Sequence, residues 1–302
     1  MRVTLIHNPS AGSGSPSGAE LMTWLSDAGY DVTYQSSQTA DFARALERPG
    51  DLVVAAGGDG TIAKVLRALA GRDVPVAVLP QGTANNVAFS LGIHGTPRDL
   101  IASLRTATPR RMDVPSAVAP WGEERFVESA GIGLFASVLD DAERDSNVGT
   151  RDLVWGRGDR MRRMLSREPA PWRRIDADGT DLSGRCFFVA AFNTPTIGPR
   201  VPLAPAADPV DGLLDVLVVR AEDRVALEEY LDAHTDGAPI AFPLRTVKCR
   251  TVRLDWEMDT GHLDDKVWPD AFTPALGGPA DRSPVTLTVT GSTVSVLVPR
   301  TV

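Results

Sequence analysis

Lysine is nearly missing from this 302-residue chain: of 31 basic residues only Lys64, Lys248 and Lys266 are lysines, and the rest are arginines. A phosphate loop of the Gly-Lys-Ser/Thr type needs a lysine after its glycines, and none stands there, so that pattern is excluded. Cysteine is scarce too. Cys186 and Cys249 lie far apart and in no ligand-spaced pair, which reads as two buried free thiols. Excess positive charge is lacking: the formal charge is −8 and the pI about 5.1, which argues against a nucleic-acid binder with a broad basic face. No apolar run approaches the ~18 residues of a membrane span. The N-terminus enters a β-rich run at once, without the basic flank and apolar core of a secretory signal, so a cytoplasmic protein is expected. What remains, 43% hydrophobic and 23% charged residues, is the composition of a soluble globular protein with room for two domains.

The stretch from Asp51 to Asn86 organises the rest. Asp51–Ala56 is an apolar run without polar alternation, as in a strand covered on both faces of a parallel sheet. It runs into Gly57-Gly58-Asp59-Gly60-Thr61, a helix to Ala70, a second strand Val76–Pro80 and a second glycine turn, Gly82-Thr83-Ala84-Asn85-Asn86. Glycines let a backbone approach a ligand closely, and the free N–H groups of a helix start attract phosphate. Thr61 suits the N-cap of that helix. Asp59, an exposed turn carboxylate among these donors, would compete with phosphate unless it works through Mg²⁺ or handles a proton. The combination points to a nucleotide with metal, against the plainer alternative of an ordinary strand-turn-helix loop.

Upstream, Arg2–His7 and Tyr30–Gln35 read as strands, and Ala19–Ala28 and Thr39–Glu47 as helices. With a further helix at Asp99–Thr106, the first part reads as a parallel α/β layer. Gly12, Gly14 and Gly18 do not make a dinucleotide fingerprint, because the helix begins too late. Near Asp113 the grammar changes to glycine, proline and β-rich runs. Strand candidates are Arg125–Ala130, Cys186–Phe192, Leu214–Val219, Thr251–Trp256, Val285–Val289 and Thr293–Val298. Helical interludes fall at Leu134–Arg144, Asp152–Ser166 and Ala221–Asp232. The expected fold is therefore α/β plus all-β. An N-terminal parallel-sheet nucleotide domain (1–112) precedes a C-terminal antiparallel β-sandwich (113–302) whose last strand returns toward the first domain. Trp155–Trp172 interleaves Trp and Met with arginines. It reads first as an amphipathic helix with its arginines solvated, and alternatively as a contact for an anionic membrane surface.

Four motifs occur in order: Asn8-Pro9-x-Ala11-Gly12, Gly57-Gly58-Asp59-Gly60-Thr61, Gly82-Thr83-Ala84-Asn85 and Asp211-Gly212-Leu213-Leu214-Asp215-Val216. In this the chain resembles the diacylglycerol kinase-like lipid kinases, which include the sphingosine and ceramide kinases. The resemblance extends to Arg111-Met112-Asp113-Val114, Gly131-Ile132-Gly133 and Val296-Leu297-Val298-Pro299. It implies transfer of the γ-phosphoryl group of ATP to a lipid hydroxyl, with Mg²⁺, at a site in the cleft between two domains. Asn8, Ser10 and Gly12 would border the phosphates with Gly57, Gly58, Gly60 and Thr61. Ser37 or Thr39 would add a nucleotide contact, Thr83 would reach the nucleotide, and Asn85 would tie its loop down. Asp211, the carbonyl of Leu213 and Asp208 resemble a metal site that organises the β domain. Asp59 and Asp113 resemble acidic members of a network near the transferred phosphate. The implied partner is a lipid substrate at the inner membrane face, reached by a peripheral cytoplasmic enzyme, with a homodimer as one allowed assembly.

Two positions depart from the family pattern. Asn86 stands where the family has aspartate, and the late Asp-Gly-Glu that supplies a base has no intact copy. By position its best match is Asp270-Ala271-Phe272, with phenylalanine where the base should be, and the rival match Asp264-Asp265-Lys266 has lysine there, so Asp270 or Asp265 would have to serve instead. Loss of a general base costs about 10²–10⁴-fold in rate. The alternatives are thus a weakened nucleotide- or lipid-binding relative and, further off, an NAD kinase, which shares the Gly-Gly-Asp-Gly-Thr turn.

Overall fold

The structure is a computed structural model that describes residues 1–14, 16–120, 122–133, 136, 165, 170–198, 200–235, 240–255, 261–268 and 284–300. The chain divides into two compact units. The first holds Met1–Val114, Pro209–Asp211 and Gly291–Val302, and the second holds Pro115–Asp208 and Gly212–Thr290.

The first unit opens with β1 (Arg2–His7), α1 (Gly18–Asp27), β2 (Asp31–Ser36), α2 (Phe42–Glu47), β3 (Leu52–Gly57), α3 (Asp59–Leu69) and β4 (Val76–Pro80). It continues with α4 (Asn86–Ser90), α5 (Pro97–Ser103) and β5 (Thr108–Asp113). Local chemistry sets the helix starts. Ser17 and Glu20 form a reciprocal capping box on α1, and Thr96 caps α5 with Pro97 in its first turn. All six residues of β3 are buried, as a central parallel strand requires, whereas edge strand β2 is half exposed. The face of α3 that carries Ile62, Val65, Leu66 and Leu69 is buried. Its N-cap is Gly58, not Thr61. Thr61 lies inside the first turn, where its side chain packs against Gly57: a Cβ on Gly57 would fall 2.8 Å from Thr61 Cβ.

The second unit begins with β6 (Ser116–Ala119), β7 (Gly122–Arg125) and β8 (Ser129–Gly133). Short strands follow at Trp172–Arg173 (β9), Ile175–Ala177 (β10) and Thr180–Asp181 (β11). Then come β12 (Gly184–Phe192), β13 (Thr196–Ile197), β14 (Val201–Pro202), β15 (Leu214–Arg220) and α6 (Arg224–Thr235). The unit closes with β16 (Val247–Cys249), β17 (Thr251–Asp255), β18 (Gly261–Leu263), β19 (Lys266–Trp268) and β20 (Pro284–Thr288). Two antiparallel sheets form, in the orders β11-β10-β17-β20-β6-β7 and β16-β15-β12-β8-β18-β19. Ile175, Val252 and Leu287 of one sheet and Ile132, Val189 and Val216 of the other share a single core, which makes the unit a β-sandwich. The opposite face of β12 and β15 packs Phe188, Phe192 and Leu217 against Leu227 and Tyr230 of α6. Cys186 and Cys249 are free and buried.

The strand expected at Arg125–Ala130 is split. Asp264, at φ +56°, accepts the N–H groups of Val127 (2.8 Å) and Glu128 (2.7 Å), so the chain turns between β7 and β8. The expected helices at Leu134–Arg144 and Asp152–Ser166, and most of the Trp155–Trp172 stretch, lie outside the described residues.

The last strand, β21 (Thr293–Val298), completes the sheet of the first unit in the order β2-β1-β3-β4-β21-β5. It runs parallel to β4 and antiparallel to β5.

His262 on β18 is buried, with Nε2 3.4 Å from Ser129 Oγ, and desolvation pushes its pKa down to about 3 against opposition from Gly131's backbone. The unfolded chain takes up this proton below pH 6.5 and the folded one does not. Its stability contribution is therefore full above 6.5 and falls as pH drops toward 3, with a limiting slope of about 1.4 kcal/mol per pH unit. His262→Gln should flatten that slope in denaturant unfolding between pH 7 and 5, and an unchanged slope would contradict this.

Candidate functional site

β1, β3 and β4 are adjacent and parallel, so the loops after them emerge on one edge. Three sequence-marked turns meet there. After β1, the Asn8 N–H donates to Ala56 O (2.9 Å) and Asn8 Oδ1 accepts the Ser10 N–H (3.1 Å). Gln38 Nε2 bridges Asn8 Oδ1 (3.0 Å) and Ser10 Oγ (2.8 Å). Gly12 is exposed at φ +58°, and a Cβ there would come within 3.2 Å of Gln81 O. After β2, the buried Ser37 donates its N–H to His7 O (2.9 Å), while Thr39 is exposed.

The turns after β3 and β4 touch backbone to backbone. A Cβ on Gly82 would lie 2.6 Å from Gly58 Cα and 2.9 Å from Asn85 Oδ1. Only glycine fits that approach. Gly58, Asp59 and Gly60 form the start of α3, where the helix dipole favours an anion; the N–H of Thr61 already donates to Gly58 O (3.0 Å). Asn85 sits at φ +53° and uses both ends of its amide on Gly82: Oδ1 accepts the N–H and Nδ2 donates to the carbonyl, each at 2.8 Å. Thr83 is exposed between them. Asn85→Ala gives up two hydrogen bonds and places alanine in a left-handed conformation, so it should cost about 2–3 kcal/mol. Denaturant unfolding at the wild-type midpoint would contradict this.

Asp59 is not an exposed turn residue. It lies half-buried in the first turn of α3, and its Oδ1 accepts the N–H of Val87 in α4 (3.2 Å), which links the two glycine turns. Asn86 beside it is buried.

Asp113 does not join this edge. β5 runs against its neighbours, and Asp113 pairs with Thr293 at the start of β21. The register places it about seven residues along the strands from Gly57, roughly 23 Å at ~3.3 Å each. The buried Asp113 instead donates its N–H to Pro209 O (2.7 Å), beside the expected metal residues. Asp208 and Asp211 are exposed and Leu213 half-buried. Among the described residues no three or more His, Cys, Asp or Glu are grouped to hold a metal. Asp215 is structural: Thr246 donates to it (2.7 Å) and Lys248 pairs with it (3.1 Å). Asp270 and Phe272 lie outside the described residues, while Asp264 and Asp265 form the turn between β18 and β19 and Lys266 opens β19. No described helix is long and apolar enough to cross a membrane.

Two polar groups at this edge escaped sequence reading. Gln81, which follows β4, is 7% exposed, and both its side-chain amide atoms are without a hydrogen-bond partner among the described residues. His7, at the end of β1, has Nδ1 3.3 Å from the Tyr34 hydroxyl and Nε2 unpartnered. Burial holds its pKa below the usual value, opposed by the backbone of Pro16. Such atoms each cost about 1–3 kcal/mol. No motif marks them, because burial is set by the fold.

Two family models match the chain in succession. Residues 2–117 match the diacylglycerol kinase catalytic domain, and residues 158–298 match the YegS C-terminal NAD kinase beta sandwich-like domain. A probable lipid kinase YegS-like of Stenotrophomonas maltophilia is 31% identical over 222 residues, covering 68% of this chain and 70% of that protein. The chain belongs to the diacylglycerol kinase-like lipid kinase family. A diacylglycerol kinase of Mycobacterium tuberculosis is 28% identical to this family member over 276 residues, covering 84% of this chain and 85% of that one. In fold the lipid kinase chain is similar to a putative diacylglycerol kinase from Bacillus anthracis str. Sterne, with a TM-score of 0.71, 19% identity, and coverage of 98% and 95%.

Proposed function

We propose that this lipid kinase family member transfers the γ-phosphoryl group of ATP to the hydroxyl of a lipid such as diacylglycerol, working peripherally at the inner membrane face. The observation that supports this most is the Gly58–Gly82 backbone contact, which packs two N–H-bearing turns beside Asp59. Phosphoryl transfer asks mainly for positioning and charge stabilisation. The N–H groups at Gly57, Gly58 and Gly60 would cradle phosphate oxygens, with Thr61 closing the turn through its N–H on Gly58 O (3.0 Å), Asn8, Ser10, Gly12 and Thr83 at the margin and Ser37 behind them. Asn85 acts through the loop it ties. Mg²⁺ usually takes one or two carboxylates and completes its shell with water and phosphate, so Asp59 fits as its protein ligand. When bound, the ion would neutralise charge on the transferred group.

Asp208, Asp211 and the carbonyl of Leu213 would hold a second, structural ion; Asp113, whose N–H donates to Pro209 O (2.7 Å), would act at a distance from the phosphates. Asp270 is the proposed proton acceptor. A weakened nucleotide- or lipid-binding relative is the second reading, favoured by the buried amide of Asn86 and by Phe272 at the position of the family's base.

The test is transfer of label from γ-labelled ATP, with Mg²⁺, to a panel of lipids in mixed micelles, alongside nucleotide-dependent thermal shift. Labelled lipid supports the first reading. Nucleotide binding without any labelled lipid supports the second, and labelled NAD would overturn both.

A further inference from the structure

Gln81 sits immediately before the second glycine turn. Its N–H continues the β3–β4 ladder by donating to Gly57 O (2.8 Å), and Gly12 approaches its carbonyl and Cβ from above. The side-chain amide is buried, with neither its oxygen nor its nitrogen hydrogen-bonded among the described residues. His7, Ala56 and Leu79 share a row of the sheet, so by strand alternation Gln81, two residues beyond Leu79, shares the face of His7. His7 Nε2 is likewise buried and unpartnered. An apolar side chain of equal length would fill the same space at no polar cost. A ligand-bound form of the site can supply partners for both atoms.

We propose that Gln81 is a positioning residue for the Asn8–Gly12 turn: in the nucleotide-bound state its amide pairs with the backbone of that turn and fixes the turn's N–H groups toward phosphate. The proposal rests on the nucleotide-site reading above. It makes a residue with no phosphate contact of its own set nucleotide affinity, by preorganising the groups that do make contact.

The experiment compares wild type with Gln81→Met. It measures the Kd for Mg²⁺-ADP by calorimetry, the thermal midpoint of the free protein, and hydrogen exchange of residues 8–12 with and without ADP. Gln81→Met should bind about tenfold more weakly, equal to about 1.4 kcal/mol. It should melt no lower than wild type and lose the ADP-dependent protection at residues 8–12. Unchanged Kd and protection would overturn the proposal, as would a lower midpoint with unchanged Kd, which marks a packing role. Failure of both Gln81→Met and Gln81→Leu to fold would also overturn it, since the amide would then be paired in the free protein. Wild type that does not bind ADP would remove the nucleotide-site reading itself.

Discussion

Asp59→Asn is expected to lower phosphoryl transfer by about 10²–10³-fold while leaving the thermal midpoint nearly unchanged. Asparagine keeps an oxygen where Oδ1 accepts the Val87 N–H, so the link between α3 and α4 survives. What it loses is the negative charge, the property that suits a Mg²⁺ ligand among phosphate-facing N–H groups. Asp59→Ala is a poorer test, because it also strips an acceptor from the start of α4, a change worth about 0.5–2 kcal/mol. A turn carboxylate read from sequence as exposed is in fact half-buried and part of the joint between two helices. Labelled-ATP transfer and thermal melting, run together on Asp59→Asn, check both halves; full activity would remove Asp59 from the chemistry.

Gly82→Ala should be the more damaging of the two methyls that can be added where the glycine turns after β3 and β4 touch. The added carbon would sit 2.6 Å from Gly58 Cα and 2.9 Å from Asn85 Oδ1, and the first of these is backbone that a rotamer change cannot move aside. The turns must separate, which carries the N–H groups of α3 away from those at Thr83. The overpacking should cost about 1–3 kcal/mol in denaturant unfolding. Nucleotide affinity should fall at least tenfold, by about 1.4 kcal/mol or more. Gly58→Ala meets Gly82 Cα at 3.2 Å and should do less harm. Equal ADP affinity for Gly82→Ala and wild type would contradict the close approach as a requirement for binding.

Much of the fold was legible because burial on both faces writes itself as an unbroken apolar run. Leu52–Gly57 and Val76–Pro80 are such runs, and the antiparallel strands at 184–192, 214–220 and 284–288 show as β-rich segments between turn residues. Arg125–Ala130 misled because Phe126 and Val127 are apolar, yet a carboxylate 137 residues away captures the Val127 N–H and turns the chain there. Distant partners leave no local mark. Thr61 was misplaced as a cap because glycine, without a side-chain acceptor, can also begin a helix when its φ and ψ allow. Asp113 was grouped with Asp59 by motif order alone; the antiparallel entry of β5 sends it to the other end of the sheet. The apposed glycines, by contrast, were readable as a site, since two glycine turns after two buried parallel strands must emerge on one edge.

The central claim is that phosphates bind at the joined turns after β3 and β4. A crystal structure with Mg²⁺ and a non-hydrolysable ATP analogue tests it most directly. The account predicts phosphate oxygens within hydrogen-bond distance of the N–H groups at Gly58–Gly60, with the metal on Asp59. Triphosphate seated elsewhere, with those N–H groups facing only water, would contradict it.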